Sequence, residues 1–154
     1  MSNIIEFKVY HKPQAQPRPK ARRLPVGVQI YTPKSERVIV WKDAIRTSFR
    51  NTVGFNYTPV DGLVRFSVVF EIERPKYMCA TKYPDQRLPH TIKPDIDNLI
   101  KGAMDALSGV AWVDDSQVWL GSCEKYFNTI TLGGSSGRKR LPSPSVVSFK
   151  LEIL

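Results

Sequence analysis

Lys93-Pro94-Asp95-Ile96-Asp97-Asn98-Leu99-Ile100-Lys101, followed after an apolar gap by Asp114-Asp115, is the stretch on which the reading of this chain turns. The rest of the chain is basic, with a formal net charge of +9. A protein so charged attracts polyanions, and an acidic cluster inside it repels them unless a divalent cation stands between carboxylates and phosphate. The pattern points to metal-dependent phosphodiester chemistry.

Spacing sharpens this. Side chains at i and i+2 share one face of an extended segment but lie on roughly opposite sides of a helix. Asp95 and Asp97 can therefore meet at one ion only while the chain is still extended, which Pro94 favours by biasing Lys93 toward extended geometry. A helix is expected from about Asp97, with Leu99, Ile100, Ala103, Ala106 and Leu107 as its apolar stripe and Gly109 as its cap. Lys101 falls one turn after Asp97 on the same face. Asp114-Asp115 sits in a polar turn between two short apolar runs. Packed against the helix as a bend or hairpin, that turn would swing one or both aspartates toward Asp95 and Asp97. Hard oxygen ligands from separate elements are what Mg²⁺ or Mn²⁺ sites use, with open positions left for water and phosphate. Taken singly, the same residues are ordinary: Asp95 or Asp97 an N-cap, Asp114-Asp115 a turn, Lys101 a solvated charge. Their joint alignment favours the site.

The segment Lys93 to Val118, KPDIDNLIKGAMDALSGVAWVDDSQV, closely resembles the core motif of the RusA family of Holliday-junction resolvases, and the order of flanking strands and basic segments fits that family along the whole chain. The resemblance implies catalytic and metal-binding roles for Asp95, Asp97 and Asp115, with Asp114 as an auxiliary acid and Lys101 as the motif lysine. It also implies a homodimer that uses Mg²⁺, with Mn²⁺ as a substitute, to nick branched DNA, the four-way junction above all, by paired symmetric cuts in recombination and repair. The chain departs from shorter family members in the long polar and basic connection from Arg74 to Ile92. Long connections in compact domains tend to be functional or mobile.

At 154 residues and 42% hydrophobic content the chain is expected to form one domain, 1–154, around a single core. Ile5, Phe7 and Val9 alternate with polar residues as a first strand. Thr32-Pro33 offers an N-cap and first-turn proline for a helix with Val38, Trp41, Ile45 and Phe49 as its stripe, closed by Gly54. A strand through Val64, Phe66, Val68, Phe70 and Ile72 follows an Asp61-Gly62 turn. The motif helix, a strand to about Tyr126, a loop and a last strand through Val147, Phe149, Leu151 and Ile153 complete an α/β fold: a single mixed β-sheet packed with two main helices.

Three segments carry the surplus positive charge: Arg18, Lys20, Arg22 and Arg23 in a Pro-rich stretch; Lys76, Lys82 and Lys93 in or at the end of the long connection; and Arg138, Lys139 and Arg140 in a Gly/Ser-rich loop. Any one of them is equally well a solvated surface. Arranged together around a metal site they would serve as phosphate contacts, and Tyr31, Tyr77 and Tyr83 among them could stack on exposed bases.

No run is long enough to span a bilayer and the N-terminus lacks the order of a signal peptide, so a cytoplasmic protein without membrane contact is expected. Cys79 and Cys123 are too far apart in sequence to frame a zinc site or a disulfide pattern, and His11 and His90 add no ligand spacing. A related branched-DNA endonuclease without strict junction specificity, or a non-catalytic basic nucleic-acid-binding module, are the alternatives; the second leaves the clustered carboxylates unexplained. A nuclease of the PD-(D/E)xK kind is disfavoured because no acid-x-Lys triplet follows Pro94-Asp95.

Overall fold

Every second side chain of Val64–Ile72 (β4) is buried, and the reason lies in the layers around it. In the computed structural model, which describes residues 3–133, 137 and 139–154, β4 runs between an antiparallel neighbour, Val146–Ile153 (β9), and a parallel one, Val118–Phe127 (β6). Asn3–Val9 (β1) flanks β9, and the two-residue strand Leu88–Pro89 (β5) touches only the end of β6. The sheet order is β1-β9-β4-β6-β5. This is the mixed sheet expected from the alternation of apolar residues.

Helices Glu36–Val53 (α1) and Ile96–Leu107 (α2) cover one face, with Trp41, Ile45 and Phe49 of α1 and Leu99, Ala103, Ala106 and Leu107 of α2 joining Phe66, Val68 and Phe149 in the core. The opposite face carries Glu6, Lys8, Ser67 and Lys150 into solvent. Such one-sided burial is what an antiparallel-rich sheet tolerates. The α1 stripe is as expected, but the helix begins after Ser35 rather than at Thr32-Pro33. Tyr31 is still paired in a strand, so residues 32–35 are spent turning the chain onto the helix axis.

Two hairpins were not legible as strands. Lys20–Arg23 (β2) pairs with Val28–Tyr31 (β3), and Ile130–Gly133 (β7) pairs with Lys139–Pro142 (β8). All eight residues of β2 and β3 are exposed. With neither face buried, no apolar alternation marks them. The turn closes through the Leu24 N–H to the Gly27 carbonyl, with Gly27 at φ 90°, where an L side chain is strained.

The Arg74–Ile92 connection is ordered rather than loose. Arg74 is 2% exposed, and its guanidinium donates to the carbonyls of Asn128, Met78, Pro84 and Gln86. A buried guanidinium needs its donors satisfied, and here three carbonyls of the connection itself and that of Asn128 beyond β6 accept from it. Arg140 adds bonds to the Cys79 and Tyr83 carbonyls and an ion pair with Asp85 at 2.7 Å. Two arginines thus fasten the segment to the β7–β8 side of the sheet.

Candidate active site

The start of α2 lies against the C-terminal end of β6, where Asp95, Asp97, His90, Cys123, Lys125 and Tyr126 line one open hollow. Asp95 is the N-cap residue, extended at φ -70° and ψ 144°, and Asp97 is in the first helical turn. The helix therefore begins one residue earlier than Asp97, yet the carboxylates still converge. A single nitrogen, Nη2 of Arg18, stands 3.3 Å from Asp95 Oδ2 and 3.6 Å from Asp97 Oδ2. Both acids are exposed. Two hard oxygens facing one cationic point fit a divalent ion in donor type and placement.

The preceding loop is held by β6. Lys125 Nζ donates to the carbonyls of Ile92 (2.8 Å) and Pro94 (2.7 Å), immediately before Asp95. Sequence reading passed over Lys125. The signal was its parity: Lys125 shares the inward side of β6 with Cys123 and Phe127, an unusual place for an ammonium unless it binds something. His90 is 7% exposed, with its ring centroid 4.2 Å from that of Phe127. Burial, then the nearby Lys125 charge, lowers its pKa from 6.5. Burial pushes the Cys123 thiol up to about 11, so it is not a ready nucleophile.

Asp114 and Asp115 do not swing toward this hollow within the chain. They precede β6, whereas Asp95 and Asp97 lie by its far end; the strand from Val118 to Glu124 alone separates the two by about 20 Å. Asp114 caps the 3-10 turn Asp115–Gln117: its side chain accepts from the Ser116 N–H at 2.8 Å while Gln117 Oε1 accepts from its own N–H. These bonds to Ser116 hold the Asp114 carboxyl below its usual pKa. Asp115 Oδ1 accepts from the indole N–H of Trp112 at 2.8 Å. Trp112 is fully buried, whereas Trp119 is half exposed beneath Arg65. Among the described residues no three acidic, histidine or cysteine side chains assemble as a metal cluster. Lys101 is exposed on α2 and makes no ion pair among the described residues.

The basic residues divide. Lys20, Arg22 and Arg23 are exposed on β2, Lys76 and Lys82 are exposed on the fastened connection, and Lys93 sits beside Arg18 and Asp95. Lys139 is exposed on β8, and Arg138 lies outside the described residues. Arg140, expected as a phosphate contact, is partly buried, with its guanidinium engaged by the Cys79 and Tyr83 carbonyls and by Asp85. No described helix is long and apolar enough to cross a membrane.

Residues 11–131 match the family model described as Endodeoxyribonuclease RusA. The chain is also similar to a Bacillus subtilis (strain 168) protein named "Uncharacterized protein YqaN", with 31% identity over 121 residues, 75% of this chain and 82% of that protein.

Proposed function

This chain belongs to the RusA endodeoxyribonuclease family, and on that premise we propose that it is a Mg²⁺-dependent nuclease that resolves four-way DNA junctions as a symmetric homodimer. The observation that carries the reading is the convergence of Asp95 and Asp97 on one cationic point beside a basic surface. Asp95 and Asp97 would hold the ion, and Asp115 would complete its carboxylate shell. Bound there, Mg²⁺ supplies a more acidic water and neutralises charge on the phosphate. Lys125 orients the Asp95 loop, Lys101 stands one turn along α2 to meet the phosphate, and Lys20, Arg22 and Arg23 position the duplex.

The positions of the acids support a dimer. A single chain carries them at opposite ends of β6, too far apart to share an ion. Beyond its pairing with β5 and the His90 N–H bond to the Lys125 carbonyl, the outer edge of β6 has no strand partner among the described residues. An open edge is a template for another strand. Two copies joined antiparallel there would lay Asp115 of one by Asp95 and Asp97 of the other, giving two sites related by a twofold axis. Two nicks on opposed strands of a junction require such a pair.

The test is a labelled four-way junction, a fork and a matched duplex, each incubated with and without Mg²⁺. Junction cutting only with metal, at paired symmetric positions, is expected. Equal cutting of fork and junction would favour the broader branched-DNA nuclease, and binding without any cutting would leave only the nucleic-acid-binding module.

A further inference from the structure

The position of Arg18 raises a question that phosphate binding alone does not answer, because this basic residue faces the carboxylates. Its place is set by backbone. The stretch before it crosses α2, with the Gln16 N–H donating to the Asn98 carbonyl at 3.1 Å. At the crossing α2 carries Gly102, where a Cβ would come within 3.5 Å of the Gln14 carbonyl oxygen. This strap delivers Arg18 onto Asp95 and Asp97 and then runs directly into the exposed basic strand β2.

A guanidinium carries a fixed positive charge, so Arg18 offsets one of the two negative charges of the acid pair and lessens its repulsion of DNA. It also occupies the point between the two Oδ2 atoms where a divalent ion would bind, and two cations cannot share that point without strong mutual repulsion. Its side chain is 67% exposed, so no packing prevents it from moving. A planar guanidinium matches phosphate as well as carboxylate.

We propose that Arg18 is an exchangeable counterion of the active site: it holds Asp95 and Asp97 in the metal-free enzyme and passes to a DNA phosphate when a divalent ion takes the carboxylates. This rests on the pair being the metal site. Metal and DNA then bind with positive coupling, since each relieves a cost borne by the other.

The test titrates DNA-free protein with Mn²⁺ by calorimetry, comparing the parent with Arg18→Gln, Arg18→Lys and Asp97→Asn, with thermal melting in EDTA to verify folding. Removing the competing charge should tighten Mn²⁺ binding by about fivefold or more in Arg18→Gln, the lower end of typical coupling. Arg18→Lys, which keeps the charge, should return toward the parent. In a second arm, junction affinity is followed against salt with Ca²⁺ present and with EDTA. With Ca²⁺ the slope for Arg18→Gln should be shallower than the parent's by about 1, one lost phosphate contact; in EDTA, with Arg18 still on the carboxylates, the slopes should agree. Equal Mn²⁺ affinity in parent and Arg18→Gln overturns the exchange. Unchanged slope with Ca²⁺ overturns the transfer to phosphate. Parent-like Mn²⁺ binding by Asp97→Asn overturns the metal reading beneath both.

Discussion

The Lys125 ammonium donates to the Pro94 carbonyl at 2.7 Å, and this bond ties the last strand residues before the sheet's edge to the peptide that presents Asp95. Together with the bond to Ile92 it makes Lys125 a positioning residue. Lys125→Met should keep the fold, lower stability by about 1–3 kcal/mol through unsatisfied carbonyls, and slow nicking by about tenfold or more, because small misplacements at a reacting centre are costly. Junction binding should stay within a few fold. A nicking rate equal to the parent's would remove Lys125 from the site.

Arg74→Leu should cost about 1–3 kcal/mol or more, because it removes the donor from four backbone carbonyls and leaves buried acceptors unsatisfied. The four carbonyls it serves belong to or adjoin the connection, so that segment should loosen first. Limited trypsin digestion reads this directly, with faster cleavage after Lys76, Lys82 and Arg87. An unchanged digestion pattern would mean that other contacts fasten the segment.

The two described basic residues of β8 should separate by assay. Lys139→Gln should flatten the salt dependence of DNA affinity and leave melting unchanged if that hairpin meets phosphate. Arg140→Gln should lower the melting temperature, since it breaks the Asp85 pair and the bonds to Cys79 and Tyr83. The reverse assignment of effects would overturn the separation.

Strands β1, β4 and β9 and both helices were legible in the sequence because burial writes a period into them, two for the strands and about 3.6 for α1 and α2, whereas the exposed motif acids were legible from their spacing and β5, two residues within the long connection, was not. Where burial is absent the signal vanishes. β2 and β3 show no alternation because both their faces are wet, and Arg140 read as one more surface charge because its carbonyl partners, at Cys79 and Tyr83, lie far away in sequence. The place of Asp115 was misjudged for a related reason. Motif spacing groups the acids in sequence but does not say whether they meet within one chain, and only the length of β6 reveals that Asp115 and Asp97 lie at opposite ends.

His90 carries a pH dependence with a definite sign. Its folded pKa lies below 6.5, through burial first and Lys125 second. As pH falls below about 6.5 the unfolded chain takes up the proton before the folded one, so stability falls and continues to fall until the folded pKa is passed. The melting temperature should therefore decline between about pH 7 and pH 5, and His90→Gln should flatten this decline. An equally steep decline in His90→Gln would assign it to other groups.

The shared-site dimer is tested most directly by mixing two inactive variants. Asp97→Asn and Asp115→Asn should each fail to cut a four-way junction while still binding it. In a mixed dimer made by co-expressing the two with different affinity tags, the Asp115→Asn copy supplies Asp95 and Asp97 while the Asp97→Asn copy supplies Asp115, so one of the two sites is whole. The purified mixed dimer should nick one strand of the junction and leave the opposed strand intact. If the mixed dimer is as inactive as its two parents, the carboxylates do not combine across the twofold axis, and the account of this site is wrong.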